Sequence, residues 1–526
     1  VGSNLHELVP NDPWRERFLP LDFQKKMIQQ KWLGDKTGQG FYKRVGKDRE
    51  IHALNWKTLE YNPLQKPRFA SVETARNIED LGERVRTVLR SDDRPGRFLW
   101  KVLSDYFLYC AAMIPEISDR MVEIDRAMRW GYGHKLGPFE LWDAVGFLEV
   151  VTRLEMERRT LPPNIKDALS RGTIALYRPP EPLGRPTTEY FDFRSNSYKP
   201  IEPRQGILTL RDRKRTHGVV FENAGAALVD LGDGVLCVEF HSKLNTLGED
   251  NVAMVYAGLE ETNRNFEALI IANEGEVFSA GANLMLVLLA AQEGEWDELN
   301  FAVQRFQQMN MALKYAAKPV VAAPFSRTLG GGCELVLHCT RAQASAETYI
   351  GLVEAAVGLI PAGGGCKELL VRLHDALRIF ELIGYAKVAT SAEEARKFGL
   401  LHRSDSVSMN PERLIFDAKA LALSLVPNHA PGAPLNDIKV AGENAYAMMK
   451  LGAWTARQGN FISDYDIIVA EKLAHVLSGG RLSGSQSVSE QYLLDLEREA
   501  FLSLCGNPKT QERMQYMLKT GKPLRN

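Results

Sequence analysis

Much that commonly announces a protein's chemistry is missing from these 526 residues. Charge of one sign is missing: 65 Lys and Arg stand against 66 Asp and Glu, a net charge of −1. That excludes a global electrostatic grip on nucleic acid or on an anionic membrane, so any anionic ligand must be held by a local cluster. Long apolar runs are missing too. The longest uncharged one, Leu284 to Ala291, is far shorter than the roughly 20 residues needed to cross a bilayer. Six cysteines (Cys110, Cys237, Cys333, Cys339, Cys366 and Cys505) include no Cys-x-x-Cys pair, and the ten histidines show no ligand spacing, so no metal site is expected. No Gly-x-Gly-x-x-Gly turn follows a strand-like segment. Gly131-Tyr-Gly-His-Lys-Leu-Gly137 has the wrong spacing and follows a helical stretch, which argues against a dinucleotide fingerprint, and His134 within it reads as a structural hydrogen-bonding residue. With no signal-like opening segment, the expectation is a reduced, cytoplasmic protein.

What is present is an ordinary globular composition, 45% apolar and 25% charged, on a chain long enough for two to four domains. Phe23, Met27 and Ile28 give Leu21 to Trp32 a helical spacing, ended by three glycines in Gly34-Asp-Lys-Thr-Gly-Gln-Gly-Phe-Tyr42. Residues 46–95 are polar, and 97–160 are strongly helical. Six prolines between 179 and 203, followed by Arg211-Asp-Arg-Lys-Arg215, read as a linker with a solvated basic hinge. Beyond it the rhythm becomes that of an α/β domain. Short β-type runs, Ala227–Leu231 and Val235–Phe240, flank a Gly232-Asp-Gly234 hairpin signal. Helices near 249–264 and 296–317 then alternate with strands Ala268–Ala272 and Pro319–Ala323. Residues 437–526 read as amphipathic helices with a break at Ser478-Gly-Gly480.

Two glycine-dense segments stand out, Phe278-Ser-Ala-Gly-Ala-Asn-Leu284 and Leu329-Gly-Gly-Gly-Cys-Glu-Leu335, each between a strand and a helix. Small residues there leave backbone N–H groups open at a helix N-terminus, and two such turns can supply two donors to one developing oxyanion. Tight packing alone would also explain either turn. Glu334 follows the glycine triplet, where a helix-start charge is the bland reading, worth about 0.3–1 kcal/mol. Glu354 is the single charge in Gly351-Leu-Val-Glu-Ala-Ala-Val-Gly-Leu-Ile-Pro361. It is either a desolvated carboxyl suited to proton donation or an exposed loop residue. Leu284 to Ala291 reads equally as core or as the border of an acyl pocket.

These motifs, with Lys318–Ala323, Val353–Gly365 and Thr390–Leu400, resemble the enoyl-CoA hydratase (crotonase) family in order and spacing over about 180 residues. The resemblance implies a ββα spiral and an acyl-CoA substrate. It assigns Glu334 as the base toward water, Glu354 as the acid at the substrate α-carbon, and the N–H groups of Ala282 and Gly331 as the oxyanion hole. Substrate contacts are implied at Ala280, Asn283, Gly330 and Pro361. Both carboxylates together favour hydration; the alternatives are Δ3,Δ2-enoyl-CoA isomerisation and a non-catalytic CoA-ester-binding or assembly module. The sequence departs from the family pattern in three places: Ala362 stands for a glycine, Glu276 for a cation, and Ala323-Pro-Phe-Ser-Arg327 for an Asn-Gly pair.

Upstream, Leu33–Lys43 resembles the closing motif, and Glu123–Asp143 the opening motif, of the helical C-terminal domain of L-3-hydroxyacyl-CoA dehydrogenases, with Gly172–Tyr177 as a degenerate second closing motif. Two tandem copies, the first incomplete, are implied. The chain opens on Val1 and is expected to be the C-terminal portion of a longer bifunctional β-oxidation protein. The expected layout is a multidomain protein: 1–95 a partial first dehydrogenase-type helical domain and connector, 96–185 the second, 186–225 a linker, 226–430 the α/β crotonase domain and 431–526 its helical tail. Residues 1–185 should be all-α. No cofactor is expected in this chain, NAD belonging to a domain outside it, and a homo-oligomer is expected.

Overall fold

The computed structural model describes residues 2–46, 49–78, 80–179, 188–202 and 204–526. Two compact units, Val1–Glu202 and Pro203–Asn526, make up the chain. The expected domain boundary at 185/186, with Pro180, Pro182, Pro186 and Pro203 of the proline-rich stretch, lies outside the described residues.

The first unit is built on helices Arg94–Ala112, Met121–Tyr132, Pro138–Val145, Phe147–Met156 and Pro163–Ser170. The longest starts where its sequence says it should: the Asp93 carboxylate accepts from Gly96 N at 3.0 Å, with Pro95 in the first turn. Phe107 and Trp142 stack at 5.1 Å in the centre. Residues 123–143 and 172–177 meet here, because Leu176 N and Tyr177 N donate to Asp143 and Tyr177 OH donates to Asp125. The unit is not all-α, however. Tyr42–Val45, Glu50–Leu54 and Tyr61–Pro63 form an antiparallel sheet with Tyr42 opposite Ala53 and Leu54 opposite Tyr61. Its strands are short and mostly solvent-facing, so they carry little apolar alternation. Tyr61 OH donating to Gly40 O at 2.6 Å and the Trp32–Tyr61 ring contact tie the sheet to the glycine segment.

The second unit centres on a seven-stranded sheet. Its order is Ser406–Ser408, Arg341–Ser345, Val320–Ala322, Ala268–Ala272, Val235–Phe240, Ala226–Asp230, Phe221–Glu222. The first five strands pair in parallel and the last two turn back antiparallel, with Val229 opposite Cys237 and Ile270 opposite both Cys237 and Val321. Leu269 and Ile271 face one core while Ala268 and Ile270 face another, beneath helix Leu414–Leu425. Burial on both faces is why Ala-Leu-Ile-Ile-Ala reads as a continuous apolar run. A second, parallel pair, Ser326–Leu329 with Thr348–Gly351, stands apart from the main sheet.

The expected linker at 186–225 is, in its described residues, largely ordered structure. Glu189–Asp192 and Ser197–Pro200 pair in a small sheet of the first unit, and the basic run lies in helix Leu210–His217 of the second. Thr209 caps that helix by accepting from Asp212 N at 3.1 Å, Leu210 is fully buried, and Lys214 reaches the Glu239 carboxylate at 2.7 Å. One buried leucine and one ion pair therefore anchor a segment whose composition suggests none. The C-terminal stretch forms helices Glu443–Gln458, Asp464–Leu477, Glu490–Cys505 and Pro508–Thr520, with a short antiparallel pair, Ile438–Val440 and Gln486–Val488.

Candidate active site

The two glycine turns lie beyond the carboxyl ends of parallel strands, where ligands of open α/β sheets gather. Loop 273–283 follows strand Ala268–Ala272 and is pinned by Asn273, whose Nδ2 donates to Phe278 O at 3.0 Å, and by Asn245, whose Nδ2 donates to Val277 O at 2.9 Å. Ser279 then runs beside the second turn: its N donates to Arg327 O at 3.1 Å and its O accepts from Leu329 N at 3.0 Å. Glycine is required at the junction. Gly281 has φ +93°, and a methyl group on it would meet Leu329 O at 2.9 Å and Gly331 N at 3.3 Å. A methyl on Gly332 would strike Ser279 Cβ at 2.6 Å. Gly331 begins helix Gly331–His338, so its N–H has no intrahelical acceptor. Among the described residues, neither Ala282 N nor Gly331 N donates a hydrogen bond. The expected oxyanion donors are thus adjacent and open.

Glu334 projects from the first turn of that helix and is buried. Its Oε1 accepts from Gly363 N at 2.8 Å and Gly365 N at 2.9 Å. Burial pushes its pKa up to about 7, against the pull of the Gly365 and Gly363 amides and of Lys367. Glu354 opens the 3-10 turn Glu354–Val357, with Oε1 close to Gly330: a methyl on Gly330 would lie 3.0 Å from it. The residue as a whole is half-buried, but Oε2 is buried with no hydrogen-bond partner among the described residues. Burial first, and the neighbouring Glu334 charge second, hold Glu354 well above the usual carboxylate range. Two neighbouring carboxylates with elevated proton affinities are suited to proton exchange with a ligand.

The other expected contacts divide. Gly330 N is already spent on Gly351 O at 2.9 Å, and Ala280 N on Leu244 O at 3.1 Å. The Asn283 side chain caps helix Leu284–Glu293, accepting from Met285 N at 3.2 Å. Pro361 is buried behind Gly365, 3.0 Å from where a methyl on that glycine would sit. In that helix Leu288 and Ala291 are core, whereas Met285, Leu286 and Leu289 are exposed.

Sequence reasoning missed the supports. Phe306 of helix Trp296–Lys314 lies against the second glycine turn and against Gly363: a methyl on Gly331 would meet its ring at 3.2 Å, and one on Gly363 would run into it. From the same helix, Gln307 Nε2 donates to Ala362 O at 2.8 Å and Asn310 Nδ2 to Gly363 O at 2.9 Å. Ala362 keeps its carbonyl for Gln307 and packs its methyl into the core. Two amides three residues apart beside Phe306 were the available signal. Helix Glu490–Cys505 contributes Glu497, which accepts from Gly364 N at 2.8 Å and Lys367 N at 2.7 Å.

Comparison with known proteins finds a family match over the same part of the chain. The family model for enoyl-CoA hydratase/isomerase matches residues 230–421. Across its whole length the chain is 42% identical to a Bacillus subtilis protein named for 3-hydroxyacyl-CoA dehydrogenase, spanning 66% of that relative. Over 99% of its length it is 25% identical to a Rickettsia felis protein named as a fatty acid oxidation complex trifunctional enzyme, spanning 65% of it. A Bacillus subtilis protein named for enoyl-CoA hydratase is 32% identical over 31% of this chain and 60% of its own. The chain therefore spans about two thirds of the long relatives it matches. Through residues 230–421, it belongs to the enoyl-CoA hydratase/isomerase family.

Proposed function

We propose that the second unit hydrates trans-2-enoyl-CoA thioesters to 3-hydroxyacyl-CoA. The reading is carried by one observation: Glu354 presents a buried, unpartnered carboxyl oxygen beside a second buried carboxylate and two open amides. In the forward direction Ala282 N–H and Gly331 N–H hold the thioester oxygen. Glu334 takes a proton from water as the oxygen attacks the β-carbon, and the α-carbon takes a proton from Glu354. The amides act most on the enolate-like transition state, in which the negative charge sits on that oxygen. No redox or metal step enters this scheme. Loss of the conjugated enoyl-thioester absorbance of crotonyl-CoA tests it, and full activity in both Glu334→Gln and Glu354→Gln would overturn it.

Isomerisation of a 3-enoyl-CoA is a second reading of the same site, favoured by the higher proton affinity of Glu354. It requires turnover that survives Glu334→Gln and not Glu354→Gln. The same proposal places the chain in β-oxidation, in the cytoplasm and as a homo-oligomer. It assigns any NAD-dependent 3-hydroxyacyl-CoA dehydrogenase chemistry to a region outside these residues. All six cysteines are buried and unpaired, in keeping with a reducing compartment. No helix among the described residues is long and apolar enough to cross a membrane.

A further inference from the structure

The turn that orients Glu334 has two sides. Gly363 N and Gly365 N donate to Glu334 Oε1, while Gly364 N and Lys367 N donate to Glu497 Oε2 and Oε1. Four backbone donors of one five-residue stretch are thus divided between two buried carboxylates, one reaching the reaction site and one reaching in from helix Glu490–Cys505. The stretch is the start of helix Gly365–Leu373, whose dipole favours both negative charges. Its shape admits little else: Gly364 has φ +105°, and a methyl on Gly363 would stand 2.7 Å from Glu334 Oε2.

The same C-terminal helix is fastened one heptad earlier. Glu490, fully buried, accepts from Lys314 Nζ at 2.7 Å, Lys367 Nζ at 3.1 Å, Tyr315 OH at 2.5 Å and Leu435 N at 3.0 Å. Lys367 Nζ also donates to His338 Nε2 at 2.9 Å, and His338 Nδ1 bonds Glu334 O at 2.6 Å. Helix Glu490–Cys505 is therefore locked, by two acids on one apolar face, to both the base-bearing helix and the turn. Both acids lie outside residues 230–421.

We propose that Glu497 is a positioning residue for Glu334, setting the placement and proton affinity of that carboxylate through the Gly363–Lys367 turn. It never touches substrate. Burial, and then the Glu334 charge, hold Glu497 well above the usual carboxylate range. Its two accepted N–H groups keep the turn in register, so that Gly363 N and Gly365 N stay aimed at Glu334 and favour its charged form. The titratable and charged groups facing the pair are Glu354, Cys333 and His338, then Cys366, Lys367 and Glu368 on helix Gly365–Leu373, with Lys314 and Glu490 behind them. The catalytic consequence rests on the hydratase reading above.

The test is kcat and KM for crotonyl-CoA hydration across pH in wild type, Glu497→Gln and Glu497→Asp. In Glu497→Gln, kcat should fall about tenfold to a hundredfold from misplacement of the base. KM should stay within about twofold, and the acid limb of the kcat profile should move to higher pH, because a loosened turn gives the Glu334 carboxylate less help from Gly363 N and Gly365 N. Glu497→Asp keeps a carboxyl acceptor for the two N–H groups and should bring the limb back even where kcat stays reduced. A Glu497→Gln protein with wild-type kcat and limb overturns the proposal, as does one that only melts earlier with its limb unmoved. Infrared titration of the buried carboxyl band, with Glu334→Gln identifying the Glu334 contribution, needs no turnover. If the wild type hydrates no enoyl-CoA, that titration alone decides: an unshifted Glu334 band in Glu497→Gln overturns the proposal, and a shift to higher pH upholds it.

Discussion

Each unit buries a pair of carboxylates, and the two pairs are put to different ends. In the first unit, Asp143 accepts from Leu176 N at 2.8 Å and Tyr177 N at 2.5 Å. Asp125 accepts from Phe139 N, Glu140 N and Tyr177 OH. Burial raises both to about 7, the same region as Glu334. Yet every oxygen of the aspartates is engaged, and what they join is one motif end to another. In the second unit Glu334 is held by one oxygen, and Glu354 leaves Oε2 with no partner. Elevated proton affinity alone thus marks a desolvated acid; an unfilled valence in a cleft marks one that can exchange a proton with a ligand.

The sharpest way to break that contrast is to neutralise each pair. Glu334→Gln or Glu354→Gln should each lower kcat for crotonyl-CoA by about 10²–10⁴-fold, whereas Asp125→Asn and Asp143→Asn should leave turnover intact. Next in size, Gly363→Ala drives a methyl against Phe306 and the Glu334 carboxylate. It should cost about 1–3 kcal/mol of stability, read by urea unfolding, together with most of kcat. Asp143→Ala strands two buried N–H groups. It should destabilise the first unit by about 1–3 kcal/mol without moving the hydration rate.

The aspartates also predict a pH signature. Their folded pKa values lie above those of the unfolded chain, so the stability they lend is full below about pH 4 and is lost as pH rises through about 7. Melting temperatures of wild type and Asp143→Asn should therefore differ in slope across that window. The smallest effect is expected from Ala362→Gly. The change removes one core methyl and keeps the carbonyl that Gln307 holds, so stability should fall by about 1 kcal/mol, with any kinetic change in KM.

The sequence made the site easier to read than its frame. Gly281, Gly330, Glu334 and Glu354 stood out because glycine turns and a lone charge in an apolar run are local signals. The main-sheet strands stood out because burial on both faces leaves unbroken runs such as Ala268–Ala272. Residues 42–63 and 210–217 did not: their folding rests on a few contacts, Tyr61 to Gly40 and Leu210 beneath the sheet, within polar stretches. Glu497 lay in plain view as an acid on the same helical face as Leu493, Leu494, Ala500 and Leu504, but its partner Gly364 is 133 residues away. Pairings of that span leave no mark on local spacing.

That separation bears on how the protein is made. As the chain emerges from a ribosome, the main-sheet strands, the glycine turns, Glu334 and Glu354 are out before residue 497. Until helix Glu490–Cys505 docks, Gly364 N and Lys367 N have no acceptor and the turn beneath Glu334 has only one side. Docking of that helix therefore completes the turn, and a nascent chain cut short after the family-matched residues would carry Glu334 and Glu354 yet lack the brace behind them.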